Sequence, residues 1–127
     1  MADKKMLDGK RVLAVDDEQD VLETLIDLLP MCEMVTASSF KKARELLDSQ
    51  QFDLVILDMV MPGMGGGEVF DRLKAVDPAI KVLLSSGYSI NGKASEIIDR
   101  GCAGFIQKPF NLAQLSEKVA AVLSIQC

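Results

Sequence analysis

The chain has 127 residues, 49% of them hydrophobic, with 14 basic against 19 acidic side chains and no histidine. That is one domain able to bury a core, and it excludes disorder over most of the length. A net charge of −5 without a basic run argues against direct nucleic-acid binding, and no apolar run approaches membrane-spanning length. Cys32, Cys102 and Cys127 are odd in number, widely spaced and without a CxxC pair, which speaks against a zinc site or a disulfide framework. They read as free thiols in a reducing compartment. Met1 to Lys5 is polar and no apolar signal core follows it, so a cytoplasmic location is expected.

Residues 1–9 form a charged lead-in, expected to be mobile, and residues 10–127 form the domain. Arg11 to Val15 is a short apolar strand that ends on Asp16, Asp17 and Glu18. Val21, Leu22, Leu25, Leu28 and Leu29 then recur at helical spacing until Pro30. Met34 to Ala37 is a weak strand, best placed at an edge. Ser38 or Ser39 can cap a second helix carrying Phe40, Ala43, Leu46 and Leu47. Asp53 to Leu57 is a third strand, apolar enough to be buried on both faces, and it runs into Asp58. Pro62 and the glycines from Gly63 to Gly67 should break any regular element there.

Val69, Phe70, Leu73 and Val76 mark a third helix, closed by Asp77 and Pro78. Lys81 to Ser85 is a fourth strand leading to Ser86 and Gly87. Residues 91–100 make a poorer helix, with little apolar signal beyond Ala94, Ile97 and Ile98. Ala103 to Gln107 is a fifth strand, followed by Lys108, Pro109 and Phe110. Asn111 and Gln114 make a capping box for a last helix carrying Leu112, Leu115, Val119 and Val122. Strands alternating with helices, joined by right-handed crossovers, predict an α/β domain: a doubly wound five-stranded parallel sheet with five helices. The strand order natural at this size is the flavodoxin-like 2-1-3-4-5.

In that order strands 1 and 3 are neighbours, and ligands of open parallel sheets bind at the carboxyl ends of strands. Asp16, Asp17 and Asp58 then converge from two strand ends, Ser86 arrives from the fourth and Lys108 from the fifth. Each has an ordinary alternative: Asp16 and Asp17 at a helix start, Asp58 or Ser86 in a turn, Lys108 in solvent. Their conjunction carries the argument. Two like charges 4 Å apart repel by about 4 kcal/mol at an effective dielectric near 20. One lysine leaves three close carboxylates short of positive charge, and Mg²⁺, which takes oxygen ligands and keeps several waters, is the simplest remedy. Its partner would be a phosphoryl group, and a carboxylate can act as the nucleophile toward phosphorus. The glycine run lacks the spacing and the lysine of a phosphate-binding P-loop.

From Arg11 to about Leu123 the chain resembles the receiver domain of bacterial two-component response regulators. The motifs that carry the likeness are Asp16-Asp17, the run from Asp58 through Pro62 to Gly66, Ser86-Gly87 and Lys108-Pro109-Phe110. The resemblance implies that Asp58 takes a phosphoryl group from the phosphohistidine of a sensor histidine kinase or a phosphotransfer protein. It implies that Asp16, Asp17, Asp58 and the backbone carbonyl of Val60 hold Mg²⁺, that Lys108 contacts the phosphate, and that Lys108-Pro109 is cis. Ser86 and Phe105 would be the switch pair; Ser86 stands where threonine is usual, and Phe105 where tyrosine is common. Val60 and Tyr88 would flank the approach of hydrolytic water. The surface of the fourth helix, fifth strand and fifth helix would change on phosphorylation to engage a downstream protein target.

The same resemblance implies a signalling switch, not an enzyme, beyond its own phosphoryl transfer and slow autodephosphorylation. The expected form is a monomer or a phosphorylation-dependent dimer, with no membrane or nucleic-acid partner. The Leu84 to Ser89 wording is similar to receivers attached to hybrid sensor kinases, and the Met1 start favours a stand-alone receiver over an excised one. An aspartate-dependent phosphatase of the haloacid dehalogenase type is the enzymatic alternative, but it calls for Asp-x-Asp where this chain has Val60. A flavodoxin-like flavin carrier would need a Ser-, Thr- and Gly-rich loop where Asp16, Asp17 and Glu18 stand.

Overall fold

A computed structural model describes residues 7–61, 64–87, 98 and 103–124. The sheet strands are β1 (Arg11–Val15), β2 (Glu33–Ala37), β3 (Leu54–Asp58), β4 (Val82–Ser86) and β5 (Ala103–Gln107). They are all parallel, in the order β2-β1-β3-β4-β5. Four helices are present among the described residues: α1 (Gln19–Leu28), α2 (Phe40–Ser49), α3 (Gly66–Val76) and α4 (Leu112–Leu123). The helix expected over 91–100 lies outside the described residues, save Ile98, which rests part-buried on the core.

Alternation along the strands sorts the core into two layers. Leu13, Val15, Val55, Leu57, Val82 and Leu84 face α2 and α3, meeting Ala43, Val69, Phe70 and Leu73. Val12, Ala14, Leu54, Ile56, Leu83 and Ile106 face α1 and α4, meeting Leu22, Leu25, Leu115, Val119 and Val122. A strand with a helix layer on each side must be apolar throughout. All five residues of β3, Asp58 included, are buried. β2 runs along an edge, as its mixed composition predicts.

The caps follow the sequence. Ser39 accepts a hydrogen bond from the Lys42 N–H at 3.3 Å. At α4, Asn111 Oδ1 accepts from Gln114 N–H at 2.8 Å while Gln114 Oε1 accepts from Asn111 N–H at 3.0 Å. Such reciprocal bonds satisfy two of the donors that a helix start leaves open.

Two expectations need correcting. The loop after Asp58 is not without regular structure: Val60 pairs with Gly65 and Met61 with Met64 in a short antiparallel hairpin, and α3 begins at Gly66. Glycine costs least in a first helical turn, where the N–H groups have no helical partner in any case. The lead-in is also more ordered at its end than its charge suggests. Leu7 is buried in the α1–α4 layer, its carbonyl accepts from Cys32 Sγ at 3.4 Å, and Gly9 N–H donates to Met31 O at 2.9 Å. Reading charge alone passed over Leu7, an apolar residue able to dock. Burial, with Asp8 and Asp53 nearby, raises the Cys32 pKa and keeps the thiol protonated.

Truncating Leu7 to alanine should therefore lower stability by about 2–4 kcal/mol in urea unfolding, without a change in m-value. An unchanged midpoint would mean that Leu7 contributes no packing.

Candidate phosphoryl-transfer site

The site is built by register. Val15 of β1 pairs with Leu57 of β3, so the next residues, Asp16 and Asp58, stand side by side at the carboxyl edge. Asp58 pairs in turn with Ser85 of β4, and Ser86 with Gln107 of β5, so Ser86 and Lys108 reach the same edge. Asp16, Asp58 and Ser86 are 2%, 4% and 5% exposed, and such burial is rare for the two carboxylates and needs a physical compensation.

Lys108 supplies it. Its Nζ donates to Asp16 Oδ2 at 2.9 Å and forms an ion pair with Asp58 Oδ1 at 3.6 Å. The lysine is itself largely buried, its side chain 17% exposed. Burial pulls its pKa down, but the hydrogen bond to Asp16 and the charges of Asp58, Asp16 and Glu18 outweigh that, so Lys108 titrates above the ordinary lysine value. Its backbone is fixed as well: Lys108 N–H donates to Ser86 O at 2.7 Å, and the Lys108-Pro109 bond is cis.

Asp16 is held from its other oxygen, Oδ1, which accepts from the Glu18 N–H at 2.9 Å. Carboxylate oxygens of Asp16, Asp17 and Glu18 lie within 4.8 Å of one another, a spacing that can hold a metal ion. Asp17 and Glu18 are exposed, so a cation there could keep water ligands. An all-oxygen donor set without histidine or thiol suits a hard divalent cation.

The structure thus brings Asp16, Asp58 and Lys108 into direct contact, and sets Ser86 and Asp17 at the same edge. Val60 lies two residues beyond Asp58, in the hairpin. Phe105 rests part-buried against the α2–α3 layer, beside Leu84 in the sheet. Tyr88 lies outside the described residues. Glu18 received no role from the sequence, although the unbroken run of acids was the signal for it.

Residues 12–120 match the family model of the response regulator receiver domain. The chain belongs to that family. The receiver is 35% identical over 112 residues to the response regulator protein FleR of Pseudomonas aeruginosa, covering 87% of this chain and 24% of FleR. It is 29% identical over 117 residues to the chemotaxis protein CheY of Thermotoga maritima, covering 90% of this chain and 98% of that one. Among solved structures it is similar to the response regulator TrrA of Thermotoga maritima, solved in complex with Mg²⁺-BeF. There the TM-score is 0.77 at 34% identity, covering 89% of this chain and 98% of TrrA. The chain spans about a quarter of the length of relatives such as FleR, whereas CheY is matched almost end to end.

Replacing Lys108 with methionine should leave two buried carboxylates facing each other and cost about 3 kcal/mol at pH 7. The folded protein holds the Lys108 proton more tightly than the unfolded chain does. The stabilisation is therefore present below the ordinary lysine pKa of about 10.4 and is lost as pH rises through the higher folded value. Urea midpoints of parent and variant at pH 7 to 11 would show it. A gap that is absent at pH 7, or that widens as pH rises, would contradict the assignment.

Proposed function

We propose that this receiver is a phosphorylation-controlled switch, acting in the cytoplasm, in which Asp58 accepts a phosphoryl group from the phosphohistidine of a sensor kinase or phosphotransfer protein. The observation that carries this reading is the Lys108 ammonium set between two buried carboxylates, 2.9 Å from Asp16 and 3.6 Å from Asp58. A structural ion pair needs one acid, and here a second acid is kept buried at the edge where α/β sheets bind ligands.

A carboxylate oxygen of Asp58 forms the new bond to phosphorus. The phosphorus–nitrogen bond of the donor breaks, and its electron pair remains on the imidazole. Lys108 is placed to turn its ammonium from the carboxylates to the phosphoryl oxygens, and Ser86 to donate its hydroxyl to one of them. Mg²⁺, held by Asp16, Asp17, Asp58 and the Val60 carbonyl, would neutralise charge on the transferring oxygens. The chain's chemistry ends with its own transfer and hydrolysis; it turns over no separate substrate.

The output is read on the face of β5 and α4, where Phe105 follows the Ser86 hydroxyl. Swinging a switch from mostly off to mostly on takes about 5.5 kcal/mol, within reach of a few charge-assisted contacts. The downstream target is a protein.

Intact mass should show one phosphoryl group gained from acetyl phosphate, abolished by EDTA and by Asp58→Asn. Labelling that survives either change would refute the assignment. The label should then decay slowly, because neither Val60 nor Tyr88 is an acid or amide suited to orient the attacking water. Val60→Asn with Tyr88→Glu should speed the loss, by no more than the roughly 10²–10⁴-fold that positioning groups supply. A parent that decays as fast as the double variant would show that these positions do not gate the water.

A further inference from the structure

We propose that Ser85 is a second hydroxyl of the site, held in reserve for the Asp58 carboxyl group once Lys108 turns to the phosphoryl oxygens. This rests on the assignment of Asp58 as the phosphoacceptor. Five polar side chains are buried among the described residues: Asp16, Asp58, Ser85, Ser86 and Ser116. Asp16 and Asp58 share Lys108, and Ser86 is engaged as well. Ser116 bonds within its own helix, its Oγ donating to Leu112 O at 2.7 Å. Ser85 is 2% exposed, yet its hydroxyl makes no hydrogen bond to a described residue. Burying a hydroxyl without a partner is destabilising, and alanine would fill the position without that cost.

Register aims that hydroxyl. Asp58 pairs with Ser85, and Ser85 with Ile106. Paired residues of parallel strands project from the same face, and the face alternates along each strand. Ala14, Ile56 and Leu83 face α1 and α4, so Asp16, Asp58 and Ser85, each two residues further on, continue that face. Ser86 falls on the α2–α3 side by the same alternation, so the two serines do not duplicate each other. Ser85 is fixed in place, its carbonyl accepting from Met59 N–H at 2.9 Å. Neighbouring strands lie about 4.8 Å apart, so rotation of the side chain suffices to offer the hydroxyl to Asp58.

In the resting protein the Lys108 ammonium serves Asp58. On the phosphorylated protein one Asp58 oxygen carries phosphorus and Lys108 faces the phosphoryl group, so the other Asp58 oxygen is left for Ser85. A carboxyl oxygen has two lone pairs, so this bond is compatible with a cation on the same group. In hydrolysis the water oxygen bonds to phosphorus, and the phosphorus–oxygen bond to Asp58 breaks. Its electron pair returns to the carboxylate, and both hydrogens of the water leave with the phosphate. Negative charge grows on the carboxylate along this path, and a hydrogen bond to it strengthens as it does. Uptake runs through a similar charge distribution in reverse, starting from a resting state in which the Ser85 bond is not made.

Ser85→Ala tests this with three readouts. Urea unfolding without metal or phosphoryl donor should give a midpoint equal to the parent's or higher, because the variant loses only an unpaired buried hydroxyl. Uptake from acetyl phosphate and later loss of the label, both followed by intact mass with Mg²⁺ present, should each slow by about fivefold. Beryllofluoride, titrated calorimetrically with Mg²⁺, should bind about fivefold more weakly. A serine that only fills the core would leave both rates and the beryllofluoride affinity at parent values, and that result would overturn the proposal. So would a lowered urea midpoint, which would show the hydroxyl to be bonded in the resting protein. A parent that takes up neither a phosphoryl group nor beryllofluoride would instead overturn the phosphoacceptor assignment, and the role of Ser85 with it.

Discussion

Lys108 brings one positive charge to an edge where two carboxylates are already withdrawn from water. The arrangement is stable because Nζ serves both: it is hydrogen-bonded to Asp16 and within ion-pair range of Asp58. It is also incomplete, since Asp17 and Glu18 add two more acids nearby. A site in that condition gains from a divalent cation and from any group that gives the ammonium better acceptors. A phosphoryl group on Asp58, as proposed, would do the second, offering Lys108 several oxygens where the carboxylate offered one. The same contacts that hold the resting fold are thereby the ones that the proposed phosphorylation of Asp58 would rearrange.

The sheet makes this possible through register. Pairing Val15 with Leu57 puts Asp16 beside Asp58, and a one-residue slip of either strand would turn that strand's aspartate to the other face. Register is pinned by two separate apolar layers, one against α2 and α3 and one against α1 and α4, so the site depends on packing well away from it. Leu7 and Cys32 extend the second layer toward the amino-terminal edge, beyond the regular elements that the sequence pattern marks.

Much of this was legible from the chain alone, for physical reasons that can be named. β3 declares itself because a strand buried on both faces is apolar throughout, so Asp58 at its end stands out. Asn111 and Gln114 declare the start of α4 because a capping box needs those two residue types three apart. Strand order followed from size and from alternation of elements. The Asp16–Lys108 hydrogen bond, 92 positions apart, could be placed at one edge from topology, but which acid the ammonium bonds more closely could not. The hairpin after Asp58 was hidden because Pro62 and the glycines signal a break, and a two-residue ladder has no periodicity to read. Leu7 was hidden by the charges around it. Glu18 was visible only as part of an acidic run, and its backbone N–H bond to Asp16 depends on a turn geometry that composition does not encode.

The most direct test of the account is a crystal structure of the protein with Mg²⁺ and beryllofluoride. The account predicts beryllium bonded to a carboxylate oxygen of Asp58, the cation among Asp16, Asp17 and Asp58, and Lys108 Nζ in contact with a fluorine. A structure in which Asp58 stays bare and paired with Lys108, while the beryllofluoride is absent or bound elsewhere, would contradict it.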